Sequence, residues 1–170
     1  MVAYAITDSL TLNSKIVKAD MILYRDKSTL NYTSNAKLFL EEAKQYDFQK
    51  VLLHRDYRLA YRLGVDGIHL TSTQFSDIVK AKALGLFVIM STHTIEEALK
   101  AETLGVDMVT FSPIFATPNK GKPKGIELLK RFVEQLSTPV IALGGIVTKE
   151  QIDLCAKSGV EGFASIRCFL

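Results

Sequence analysis

Cations, hydroxyls and glycines recur just beyond a series of short apolar runs, the place where groups that act on a ligand would be displayed. Arg25 and Lys27 follow the run at 20–24, His54 and Arg55 close the run at 50–54, and His69 stands at an alternating position in the next. Ser91, Thr92 and His93 come after the run at 86–90. Thr117, Asn119, Lys120, Lys122 and Lys124 share a stretch punctuated by glycine and proline, Gly144 and Gly145 end another run, and Arg167 follows the last. Together they predict an anionic ligand. Paired glycines let the backbone approach an oxyanion, and the N–H groups of a helix capped by Thr148 would point at it, so a phosphate is the natural guest. His93 precedes a helix N-terminus, which favours the unprotonated imidazole and makes it the candidate for moving a proton.

Plainer readings stand beside these. Lys120, Lys122 and Lys124 could form only a solvated loop, Gly144 and Gly145 only a tight turn, and His69 only a satisfied core histidine. No Ser/His/Asp arrangement, thiolate site or His/Cys cluster is visible, which disfavours a hydrolase or a structural zinc site. Cys155 and Cys168 provide neither a disulfide framework nor metal-ligand spacing and read as small apolar groups.

The scaffold is written as a repeat. Leu63-Gly64-Val65-Asp66-Gly67-Ile68-His69-Leu70 returns in outline as Leu84-Gly85-Leu86-Phe87-Val88-Ile89-Met90, as Leu104-Gly105-Val106-Asp107-Met108-Val109-Thr110-Phe111, and as Ser158-Gly159-Val160-Glu161-Gly162-Phe163-Ala164-Ser165. A glycine just past a helix end followed by a β-branched and aromatic run marks a helix-to-strand junction. Ala36, Phe39, Leu40 and Ala43 form one helical stripe and Leu129, Phe132, Val133 and Leu136 another. Thr71 with Gln74, Thr94 with Glu97 and Thr148 with Gln151 read as capping boxes. Strands fall near residues 3–6, 20–24, 50–54, 66–70, 86–90, 107–112, 139–143 and 161–166. Eight apolar strands alternating with amphipathic helices predict an α/β chain folded as a closed (β/α)8 TIM barrel, one domain over residues 1–170. At 170 residues the barrel is short. The segment 9–18 is too brief for a full first helix, and little follows the eighth strand. Helices one and eight are therefore expected to be truncated or missing, leaving an apolar flank for a second subunit of a homo-oligomer to cover.

Composition narrows the function class. With 21 Lys+Arg against 18 Asp+Glu the net charge is +3, too small for a dedicated nucleic-acid binder. An apolar fraction of 48% and a charged fraction of 23% are those of a chain with a buried core. Nothing reads as a leader or a membrane span, so a cytoplasmic protein with no nucleic-acid or membrane partner is expected.

The wording of several segments resembles the thiamine phosphate synthase and TenI family over nearly the whole chain. The phrases are Tyr4-Ala5-Ile6-Thr7-Asp8, Arg25-Asp26-Lys27, the stretch from Gly64 to Leu70, Ser91-Thr92-His93-Thr94, Ser112-Pro113-Ile114-Phe115-Ala116-Thr117, and Pro139-Val140-Ile141-Ala142-Leu143-Gly144-Gly145-Ile146. The resemblance implies a β/α barrel; the synthase branch joins a pyrimidine diphosphate to a thiazole phosphate and releases pyrophosphate with magnesium. By position, Arg25, Lys27, Ser91 and Lys120 resemble the diphosphate contacts, and Thr117, Asn119, Gly145 and Arg167 the surroundings of the thiazole phosphate. His93 is similar in place to the acid/base histidine of the thiazole tautomerase branch. Where the synthase branch carries an Asn-Asp pair and a later aspartate to hold magnesium, this chain has His54-Arg55 and Gln74. Both carboxylates are absent, so no cofactor is expected and magnesium is in doubt. The expectation is a TenI-like barrel of thiamine metabolism that binds a phosphorylated heterocycle of the thiazole type, with His93 shuttling a proton. A divergent synthase, in which Arg55 replaces the metal as counter-charge to a diphosphate, and a non-catalytic binding or regulatory module are the alternatives.

Overall fold

Each strand exists because its apolar run has an inner and an outer face to bury, and eight such runs close on themselves. The computed structural model describes residues 1–170. Its order is β1 (Val2–Thr7), β2 (Met21–Tyr24), α1 (Tyr32–Ala43), β3 (Lys50–His54), α2 (Tyr57–Leu63), β4 (Gly67–Leu70), α3 (Phe75–Ala83) and β5 (Phe87–Thr92). There follow α4 (Ile95–Thr103), β6 (Met108–Phe111), α5 (Gly125–Glu134), β7 (Val140–Leu143), α6 (Lys149–Ala156) and β8 (Gly162–Ser165). The strands pair in sequence order, all parallel, and β8 returns to β1, so the sheet is a closed TIM barrel.

Alternation along the strands divides the core in two. Tyr4, Ile6, Met21, Leu23, Leu52, Ile89, Ile141 and Ala164 fill the barrel interior. The opposite faces pack beneath the helices, where Phe39 of α1 stacks on Tyr24 at 4.9 Å and Phe132 of α5 on Phe111 at 3.8 Å. Two aromatic contacts of this kind pin helices that their short length alone would leave marginal. Gly64, at φ +70, takes the left-handed position that ends α2, as the repeat predicts.

Three aspartates, two of them in the repeat, have a structural task at the N-terminal ends of the strands. Asp20 accepts the N–H of Ala3, Asp66 that of Val51 and Asp107 that of Val88, each at 2.7 Å. Each stands just before an even-numbered strand and ties down the second residue of the strand before it.

Three expectations change. After β1 the chain makes only a 3-10 turn at Ile16–Lys18, and after β8 another at Arg167–Phe169, as foreseen; yet the flank they leave is not open. Leu12, Ile16 and Phe169 are buried there, with Phe169 stacked 6.1 Å from Phe163, so that face gives no reason for a second subunit. The Thr71 and Gln74 pair does not cap a helix, since Gln74 itself is the N-cap of α3; its carboxamide accepts from Thr71 N–H at 3.0 Å. At α4, Thr94 accepts from Glu97 N–H, but the Glu97 carboxylate reaches back to the N–H of His93 rather than Thr94. The Thr148 and Gln151 box forms in full. No helix is long and apolar enough to cross a membrane.

Candidate functional site

A cavity of about 460 Å³ opens at the C-terminal ends of the strands, the end at which barrels of this kind carry their chemistry. Eleven of the predicted residues line it: Arg25, Lys27, His54, His69, Ser91, His93, Thr117, Lys120, Gly144, Gly145 and Arg167. Ile6, Leu23 and Leu143 from the top interior layer form an apolar floor.

The electrostatics are one-sided. Not one Asp or Glu lines the cavity. Four ion pairs exist in the molecule, and none uses Arg25, Lys27, Lys120 or Arg167. Lys27 is held below the usual lysine range, first by the Arg25 charge, then by its burial and by the charges of Lys120 and Arg55. Four cations crowded without counter-charge repel one another, and an anion relieves that repulsion.

Gly144 and Gly145 are required as glycine. They adopt φ +100 and +72; a Cβ on Gly144 would lie 2.8 Å from Pro113 Cα and one on Gly145 2.7 Å from the Phe115 and Ala116 carbonyl oxygens. The close fit presses the loop after β7 against the loop after β6. Ser165 then ties it to β8, donating its hydroxyl to the Ile146 carbonyl at 2.7 Å. No protein acceptor receives the backbone N–H of Gly144, Gly145 or Ile166. Free N–H groups beside positive side chains suit an oxyanion. The helix N-terminus expected to join them does not: neither Thr148 nor any residue of α6 lines the cavity, and the Gln151 side chain takes up the N–H groups of Val147 and Thr148.

The three histidines differ. His54 and His69 are register partners on β3 and β4, both buried, and burial pushes each down to about 3. They are uncharged imidazoles at neutral pH. His69 is satisfied on both sides, by Tyr4 Oη and Ser91 Oγ at 3.0 Å each, so it is a satisfied core histidine that also lines the cavity. His93 is exposed, with Nδ1 3.1 Å from the Ser112 carbonyl oxygen.

Arg55, Asn119, Lys122 and Lys124 are not brought to the cavity. Because Leu52 points inward with His54, alternation turns Arg55 away; its backbone takes φ +70 and its side chain joins a shallow outer depression with Arg58, Asp77 and Lys80. Asn119 stands exposed in a turn at φ +59, and Lys124 lies over the Phe111 ring at 5.1 Å. Thr71, Ser72, Ser112, Ser165 and Ile166 line the cavity unforeseen. For Ser112 a signal existed: Met108 faces inward, so Thr110 and Ser112 follow with period two.

The thiamine monophosphate synthase family model matches residues 5–169. The chain belongs to that family. A thiamine-phosphate synthase of Persephonella marina is 30% identical over 179 residues, covering 96% of this chain and 85% of its own. A protein of Aquifex aeolicus provisionally named thiamine-phosphate synthase 2 is 37% identical over 123 residues, 71% of this chain and 66% of its own. The solved thiamine phosphate pyrophosphorylase of Pyrococcus furiosus superposes with a TM-score of 0.80 at 27% identity, over 97% of this chain and 85% of that one.

The magnesium that the family resemblance implies does not fit these residues. No group of three or more His, Cys, Asp or Glu side chains is placed to hold a metal ion. Of the carboxylates that follow strand ends, Asp26 accepts from Ser28 and Thr29, Asp56 caps α2 and Asp77 accepts from Gln74 and Lys80, while Asp8 is exposed and lies outside the cavity lining. Magnesium demands hard, anionic oxygen ligands, and the mouth of this thiamine monophosphate synthase family barrel offers hydroxyls and cations instead.

Proposed function

We propose that the chain binds a phosphorylated heterocycle of the thiazole phosphate class at this mouth and moves a proton on its ring through His93. The hydrogen bond from His93 Nδ1 to the Ser112 carbonyl carries the reading. A carbonyl oxygen only accepts, and at 3.1 Å it lies nearer to Nδ1 than the Ser112 hydroxyl does at 3.4 Å, so the proton of the neutral ring sits on Nδ1 and the lone pair stays on Nε2. Nε2 is then the base that takes a proton from one ring position, and the imidazolium so formed returns it at another. Arg25, Lys27, Lys120 and Arg167 balance the phosphate charge, with the N–H groups at Gly144 and Gly145 beneath it. No step in this scheme needs a divalent ion.

The names of the relatives favour a second reading, the joining of a pyrimidine diphosphate to a thiazole phosphate. There the charge developing on pyrophosphate would fall on Arg25, Lys27 and Lys120 alone, each worth on the order of 3 kcal/mol if well placed. Incubating the chain with thiazole phosphate and with both precursors separates the cases. His93→Ala is expected to bind thiazole phosphate as the parent does while its isomerisation rate falls by about 10²–10⁴. Pyrophosphate release by the parent supports the synthase; turnover by neither protein supports a binding module.

A further inference from the structure

Beneath the cavity a phenol, an imidazole and a hydroxyl are joined in a row that begins in the barrel core and ends at the cavity wall. Tyr4 is fully buried among Ile6, Leu23 and Leu52, and its hydroxyl has a single partner, His69 Nδ1 at 3.0 Å. The two rings lie 5.8 Å apart and nearly parallel, at 19°. On the other side His69 Nε2 meets Ser91 Oγ, also at 3.0 Å.

A neutral imidazole has one N–H and one lone pair, so the row has two possible directions. If Nδ1 carried the proton, it would donate to Tyr4, and the phenolic hydrogen would be left in an apolar interior with no acceptor. If Nε2 carries it, every atom of the row is used: Tyr4 donates to Nδ1, and Nε2 donates to Ser91 Oγ. The penalty for a buried, unpaired hydroxyl hydrogen corresponds to a preference of about 5- to 150-fold for the second direction. The Ser91 hydrogen is what remains. Ser91 lines the cavity and donates to no protein group.

We infer that Tyr4 and His69 are positioning residues that fix Ser91 as a hydrogen-bond donor toward the cavity, so that the ligand atom meeting Ser91 is an acceptor. This deepens the binding reading above and rests on it for the ligand's identity, but the state of His69 is legible without any ligand. The direction also discriminates. A ring nitrogen or a phosphate oxygen takes up the free Ser91 O–H, whereas a ligand amine or hydroxyl hydrogen, meeting the one lone pair that His69 leaves, would keep that O–H unused. Thr110, the register partner of Ser91, adds a second hydroxyl to this layer; its Oγ1 is buried and unpartnered.

Nitrogen-15 NMR of the ligand-free full chain tests the direction, and with only three histidines the assignment is direct. At pH 7, His69 is expected as a single neutral tautomer with Nε2 protonated. A ring protonated at Nδ1, or an imidazolium, overturns the inference. Tyr4→Phe keeps the ring and removes the donor to Nδ1, so the resonance of the unprotonated Nδ1 should move toward that of an imidazole nitrogen without a hydrogen bond; an unchanged Nδ1 resonance overturns the role of Tyr4. Thiazole phosphate titrated against Ser91→Ala should bind roughly tenfold more weakly than against the parent, and equal affinity contradicts a Ser91 donor bond. Failure of the parent itself to bind thiazole phosphate defeats the ligand assignment of the previous section, while the His69 tautomer still decides the direction of the row.

Discussion

The two ends of this barrel use opposite charges for opposite purposes. At the N-terminal ends of the strands, Asp20, Asp66 and Asp107 each grip a strand N–H, and Asp107 is further paired with Lys82 at 2.7 Å. At the C-terminal ends the cavity wall holds four cations, two neutral histidines and no carboxylate. The three aspartates at the first end are spent on the fold; the cations at the second have no ion-pair partner in the protein. Stability and ligand recognition are thereby separated along one axis, and a change at either end should be felt mainly there.

Acid should break the comparison most visibly, because the mouth has a stability cost of its own. His54 and His69 titrate near 3 in the folded chain against about 6.5 when unfolded. As pH falls below 6.5 the unfolded chain takes up protons that the folded one refuses. Stability is therefore full above about 6.5 and is lost progressively toward 3, at up to about 1.4 kcal/mol per pH unit for each histidine. Urea melts between pH 7 and 4 should show this fall. His54→Asn should flatten it by one histidine's share, and an unaltered slope in that variant would place the acid sensitivity elsewhere.

A smaller effect separates the two arginines that sequence placed side by side in function. Arg25 lines the cavity, whereas Arg55 faces the outer depression and touches the mouth only through its field on Lys27 and His54. Arg25→Ala should weaken pyrophosphate or thiazole phosphate binding by roughly ten- to a hundredfold, the worth of one charge-assisted contact. Arg55→Ala should change it by a few-fold at most, and less as salt is raised. Calorimetric titration of both variants decides it; equal losses would return Arg55 to the site.

At the opposite end, Asp107→Asn leaves Lys82 without its partner and weakens the grip on Val88 N–H. A loss of about 1 to 2 kcal/mol in denaturant melts is expected, with phosphate affinity unchanged. A parallel loss of affinity would mean that the ends are coupled.

The barrel itself was legible because glycine-terminated helices followed by apolar runs leave few alternatives, and the eight strands emerge within two residues of where the pattern places them. The same repeat displayed Asp66 and Asp107, but their task depends on register between neighbouring strands, which no single segment contains. The cation-rich mouth was legible as residue types after strands. Direction was harder. Arg55 could have been excluded by the period-two alternation from Leu52 and His54, whereas the left-handed turn at Asn119 and the outward course of Lys124 over Phe111 are set by loop packing that sequence does not display. His69 shows the reverse case: its inward position follows from alternation, but its two partners, Tyr4 and Ser91, come from strands 65 and 22 residues away.

Binding of inorganic pyrophosphate, followed by calorimetry in EDTA and then in excess magnesium, tests the separation of charges most directly. A mouth with four unpaired cations and no acidic ligand should bind pyrophosphate in EDTA, and magnesium should leave the affinity unchanged or lower it by neutralising the anion. Binding that vanishes in EDTA and returns with magnesium would contradict the account.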